Sequence, residues 1–181
     1  MDIEKLRFPI GKYVPNKNPD QETIRKWIQE IGAFPSSIIE LTKDLSIEQL
    51  NWKYRPNGWK VKQVVHHCAD SHMNAFIRFK LALTEKKPII RPYFEADWAE
   101  LVDSLEDDIE NSINILVSLH KKWATLINSL SEEQLLLTYT HPKHGETFNL
   151  NETIGNYAWH SNHHLEHVRL GIKFEGKFNN K

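Results

Sequence analysis

Seven of the ten histidines fall in two short stretches: His66, His67 and His72 in VVHHCADSH, and His160, His163, His164 and His167 in WHSNHHLEH. Histidines grouped like this, on segments able to meet, have few physical uses. The leading one is to hold a transition metal through neutral imidazole nitrogens. A structural zinc site closes all four positions with protein ligands, whereas a catalytic one uses three and keeps the fourth open. Water in the open position is acidified to a pKa of about 7, and a thiol there is deprotonated outright. Hydrolysis and thiol transfer are therefore both within reach of one such site.

If both stretches are helical, spacing ranks the rings. His160 and His164 are one turn apart and about 40° apart around the helix, as are His163 and His167. The apolar stripe of Leu150, Ile154, Tyr157, Leu165, Val168 and Ile172 places the first pair nearer the bundle interior, so the second pair is expected outside it. In the earlier stretch the wheel does not decide. His72 sits within an apolar stripe, where a satisfied core histidine is the bland alternative. His67 lies off it, in line with Ser71, Asn74 and Arg78, which together would make the polar wall that an open site needs. His66 is expected on the solvated outer face. Cys68 aligns with apolar residues and reads as a buried thiol. Arg78 could attract an anionic substrate or form a surface ion pair. No general base stands out, since Asp70 and Glu166 read equally well as solvated or supporting carboxylates.

These side chains need helices to position them. Residues 1–17 read as an irregular arm. Asn18 is placed to cap a helix starting at Pro19, whose stripe of Ile24, Trp27, Ile31, Phe34, Ile38 and Leu41 recurs at steps of three and four. Pro35 should bend it. Further helices are expected over 59–83, 108–130 and 149–172, with no convincing strand. The segments Ser46-Ile47-Glu48-Gln49 and Ser131-Glu132-Glu133-Gln134 each read as a short helical turn opened by a capping box. Residues 86–107 are long enough to cross the length of a bundle, whereas the other two links are modest. The expected fold is all-α: an up-down-down-up four-helix bundle forming one domain over 1–181.

Composition narrows the function. Hydrophobic residues make up 40%, charged residues 26%, and the formal net charge is -1, so no long-range field invites nucleic acid or anionic lipid. One cysteine excludes an intrachain disulfide and a cysteine-cluster metal site. With no signal-peptide pattern and no uncharged stretch of membrane-spanning length, a cytoplasmic protein is expected.

The segment GWKVKQVVHHCADSHMNAFIRFKLALTE resembles the second helix of the DinB/YfiT-like metalloproteins, where a Trp precedes the metal-binding His by eight residues. From Trp59 that position is His67. AWHSNHH is similar to the last helix of the same family, whose two ligands match His160 and His164. The opening FPIGKYVP, the crossover IRPYFEADWAEL and His141-Pro142 resemble the YfiT branch. Asn162 stands where YfiT relatives carry another His, but it points about 200° away from His160. The resemblance implies an up-down-down-up bundle, commonly a homodimer, holding one divalent ion per subunit. Zn²⁺ is the first choice and Ni²⁺ the alternative, with His67, His160 and His164 as ligands. It implies a metal-dependent hydrolase of a small molecule. Some related members are bacillithiol-type S-transferases that join a low-molecular-weight thiol to electrophiles, which is the second reading. A noncatalytic metal- or ligand-binding bundle is the third.

Overall fold

Four long helices carry the structure: α2 (Gln21–Thr42), α4 (Val61–Thr84), α7 (Glu110–Asn128) and α9 (Leu150–Phe174), with the short helices α1 (Ile3–Arg7), α3 (Ile47–Leu50), α5 (Glu95–Trp98), α6 (Val102–Leu105) and α8 (Glu132–Leu135) between them. The structure is a computed structural model describing residues 2–142 and 145–179.

Local chemistry sets the helix ends. Asp20, not Asn18, caps α2: its side chain accepts the N–H of Thr23, while the N–H of Asn18 turns back to Asn16 Oδ1. Ser46, Ser131 and Asn149 open α3, α8 and α9 with full capping boxes, each completed by a Gln or Glu at the third helical position. At the end of α9 the chain turns through left-handed Glu175 and Gly176. The arm is not wholly irregular, because Asp2 accepts from Glu4 N–H and starts α1. A second departure from expectation is an antiparallel hairpin, β1 (Thr138–His141) with β2 (Glu146–Asn149), in which Tyr139 faces Phe148 and Thr140 faces Thr147. Alternating Thr and aromatic residues favour that pleat, but four-residue runs are too short for periodicity to announce.

Residue pairs give the helix directions. Along α4 and α9, Val61 meets Gly171, His67 meets His160 and Arg78 meets Tyr157, so these helices are antiparallel. Trp27 with Gly155 and Glu30 with Asn162 make α2 parallel to α9. His66 with Ser112, His72 with His120 and Phe79 with Trp123 make α4 parallel to α7. The order is therefore up-down-down-up, with α2 and α4 on opposite corners, each packed against α7 and α9.

The core is in two parts. One half gathers Ile24, Ile31, Phe79, Trp123, Ile127, Leu150 and Ile154. The other gathers Phe34, Ile38, Val61, Val65, Cys68, Leu116 and Val168. On α4, α7 and α9 the residues between the two halves include His72, His120 and His160. Buried His72 and His120 and half-buried His160 thus occupy the waist of an otherwise apolar bundle, where a buried ring nitrogen needs a partner.

Candidate metal centre

His67 from α4 and His160 and His164 from α9 converge, each offering a ring nitrogen, with all three ligand atoms within 4.8 Å of one another. His67 Nε2 lies 3.3 Å from His160 Nε2. The rings of His160 and His164 lie 4.4 Å apart and edge-on, as one helical turn dictates. Trp59 packs its ring 4.7 Å from that of His67 and helps hold it.

Burial decides their charge. It pushes the His67 pKa down to about 4, with the neighbouring His163 adding to the effect. His160 and His164 are driven well below the ordinary imidazole range, first by burial and then by the surrounding imidazoles. All three are therefore neutral at pH 7, the form that coordinates metal. Three neutral imidazoles suit Zn²⁺ or Ni²⁺, so the donor set fits the ion that the sequence suggests.

The expected polar wall is partly present. Ser71 Oγ lies 3.4 Å from both His160 Nε2 and the Tyr157 hydroxyl. Arg78 Nη1 donates to the Tyr157 hydroxyl at 3.4 Å. Asn74 is not part of the wall: its side chain donates to the carbonyl of Asp70 one turn back. Ser71, Arg78, Tyr157 and His160 instead line a cavity of about 650 Å³, whose other walls include Tyr93, Tyr139 and Phe148. His160 is thus shared between cavity and histidine cluster.

Several neighbours differ from expectation. His66 is buried, not solvated, with Nδ1 on Ser112 Oγ at 2.8 Å and Nε2 on the carbonyl of Glu106 at 3.2 Å, because the crossover folds over that face of α4. His163 and His167 are buried too, since the N-terminal arm covers the outer face of α9. Phe8 stacks on His163, and His167 lies flat on Tyr54 with ring centres 3.9 Å apart. His72 is fully buried and bonded through both nitrogens. Its partner His120 gave no sequence signal, being a lone histidine in an amphipathic helix. Cys68 is a buried thiol whose pKa burial raises. Neither nearby carboxylate faces the cluster: Glu166 pairs with Arg169 on the same helix, and Asp70, raised to about 6 by burial and by Asp103, is absent from the cavity wall.

The model of the DinB superfamily matches residues 32–168. The chain belongs to that family. A protein of Bacillus cereus strain 03BB102 named "Putative metal-dependent hydrolase" is 50% identical over 166 residues, covering 92% of this chain and 95% of that one. A Bacillus thuringiensis subsp. konkukian protein with the same functional name matches to the same extent. Among solved structures, YfiT from Bacillus subtilis superposes with a TM-score of 0.91 at 42% identity, covering 94% of this chain and 98% of that one. It is described as "a probable metal-dependent hydrolase with an unusual four-helix bundle topology". The up-down-down-up order of α2, α4, α7 and α9 is the four-helix bundle that this DinB member shares with YfiT. Among the described residues no helix is long and apolar enough to cross a membrane.

Proposed function

We propose that the protein is a metal-dependent hydrolase of small molecules, in which His67, His160 and His164 hold one divalent ion, Zn²⁺ ahead of Ni²⁺. One observation carries the reading: three neutral imidazoles, His67 and His164 buried and His160 half-buried, converge beside a cavity of about 650 Å³ that His160 also lines. The volume lies within the range of small-molecule sites. When bound, such an ion supplies Lewis acidity and makes water nucleophilic at neutral pH.

The chain supplies binding and orientation. Arg78 makes no ion pair with a carboxylate among the described residues, and its guanidinium borders the cavity. It is free to take an anionic group of the substrate. Tyr157 donates its hydroxyl to the carbonyl of Ser71 at 3.2 Å, which ties α9 to α4 beside His160. Tyr93, Tyr139 and Phe148 give the cavity aromatic walls against which an apolar part of the substrate can pack.

Metal-loaded protein should hydrolyse members of an ester and amide panel, and His67→Ala should abolish the turnover. Conjugation of a thiol to monochlorobimane, with no hydrolysis of any panel member, would replace this reading with thiol transfer. Failure of the protein to take up metal would reject both.

A further inference from the structure

Two of the three converging histidines lean on further histidines, and each of those chains ends on a backbone carbonyl. In the first, His160 Nδ1 lies 3.1 Å from His72 Nε2, and His72 Nδ1 lies 2.7 Å from His120 Nε2. His120 Nδ1 lies 2.7 Å from the carbonyl of Ile31. In the second, His164 Nδ1 lies 3.3 Å from His167 Nδ1, and His167 Nε2 lies 3.2 Å from the carbonyl of Arg7.

A carbonyl only accepts, and that fact orders every proton. A neutral imidazole has one N–H and one lone pair. His120 must donate from Nδ1 to Ile31, so its Nε2 accepts. His72 must then donate from Nδ1 and accept at Nε2, which leaves His160 to donate from Nδ1. His167 must donate from Nε2 to Arg7 and accept at Nδ1, so His164 also donates from Nδ1. Both chains leave the lone pair on Nε2, which for His160 faces His67 Nε2 at 3.3 Å and for His164 is the ring nitrogen not engaged by His167.

The two terminal carbonyls are ones that their helices cannot use. Ile31 lies four residues before Pro35, which has no N–H to return to it, so the proline inside α2 frees an acceptor in the core. Arg7 ends α1, where carbonyls lack helical partners. By contrast, the buried Nδ1 of His163 has no hydrogen-bond partner among the described residues, so nothing fixes that ring in the same way.

We propose that His72, His120 and His167 are positioning residues: two relays, anchored at Ile31 and Arg7, hold His160 and His164 in the one tautomer that presents an Nε2 lone pair to a metal ion. The relevance to metal rests on the function proposed above, but the proton order belongs to the metal-free protein and is tested there. Supporting partners of this kind typically change metal affinity by about 10–100-fold.

Long-range ¹H–¹⁵N spectra of the imidazoles in metal-free, full-length protein read the tautomers directly. The expected result is Nδ1–H for His72, His120, His160 and His164, and Nε2–H for His167. A proton on Nε2 of His160 or His164, or a mixture of tautomers at either, would overturn the proposal. His120→Phe should leave His160 a tautomer mixture, keep His164 unchanged and weaken Zn²⁺ binding roughly 10–100-fold. His167→Phe should do the reverse, disturbing His164 alone, while His163→Phe should alter neither ring. Should a variant fail to fold, the wild-type spectrum still decides. Wild-type protein with the expected tautomers but no Zn²⁺ binding would sink the metal reading and leave the proton order standing.

Discussion

His67 Nε2 and His160 Nε2 face each other at 3.3 Å across the gap between α4 and α9. Nitrogens bound tetrahedrally to one zinc at about 2.0–2.1 Å are separated by roughly 3.3–3.4 Å, so this pair already has the spacing of two ligands on one ion. The first prediction follows from that spacing. His67→Ala, His160→Ala and His164→Ala should each lower bound metal from about one ion per chain to near zero in elemental analysis of purified protein. His163→Ala should retain it, because that ring neither converges with the three nor belongs to a relay. Full retention by the three ligand variants would reject the assignment.

Arg78→Ala should raise KM for an anionic substrate by about tenfold or more, the worth of a charge-assisted hydrogen bond, with a smaller change for a neutral analogue. Steady-state kinetics on matched anionic and neutral esters separates the two. Equal effects on both would mean that Arg78 serves only to hold Tyr157, whose hydroxyl it contacts at 3.4 Å.

Acid should destabilise the metal-free protein early. Burial lowers the pKa of His67 and of His120 to about 4 and holds those of His72, His160 and His164 well below the ordinary imidazole range. An unfolded histidine titrates near 6.5, so below about pH 6.5 the unfolded chain binds more protons than the folded one, and stability falls with pH. The loss runs from about 6.5 toward the folded values; for His67 and His120, with folded values of about 4, it amounts to roughly 2 kcal/mol each between pH 7 and pH 5, and the other three add to it in the same direction. Urea midpoints at the two pH values measure it. An unchanged midpoint would contradict the buried, neutral waist.

Gly155 is where α2 and α9 press together. A Cβ there would sit 2.8 Å from the Trp27 ring, closer than packed atoms allow. Gly155→Ala gains about 1 kcal/mol of helix propensity but overpacks the contact by about 1–3 kcal/mol, so a net loss of about 1 kcal/mol is expected. Thermal unfolding would show it, and a raised midpoint would mean that Trp27 moves aside freely.

Much of this architecture was legible in the residues. Apolar steps of three and four placed α2, α4, α7 and α9, and the Ser-Gln capping boxes placed α3 and α8, because these signals are local. The pairing of His160 with His164 was equally local, being one helical turn. What the wheel left open was decided across the bundle: His67 Nε2 faces His160 Nε2, whereas His72 sits behind the same ring, between His160 Nδ1 and His120. The burial of His163 and His167 depends on Phe8 and Arg7 from the arm, a contact between residues more than 150 positions apart that no helical period encodes. His120 was invisible for the same reason, since its role arises from Pro35 and Ile31 on another helix. Asn74 illustrates the opposite error: it shares a face with Ser71 and Arg78, yet its short side chain is satisfied by its own helix at the carbonyl of Asp70.

Anomalous diffraction from crystals grown with Zn²⁺ tests the central claim most directly. The expected map has one peak per chain at about 2.0–2.1 Å from Nε2 of His67, His160 and His164. A map with no peak among these three rings, or with its peak at His163 and His167 instead, would contradict the account.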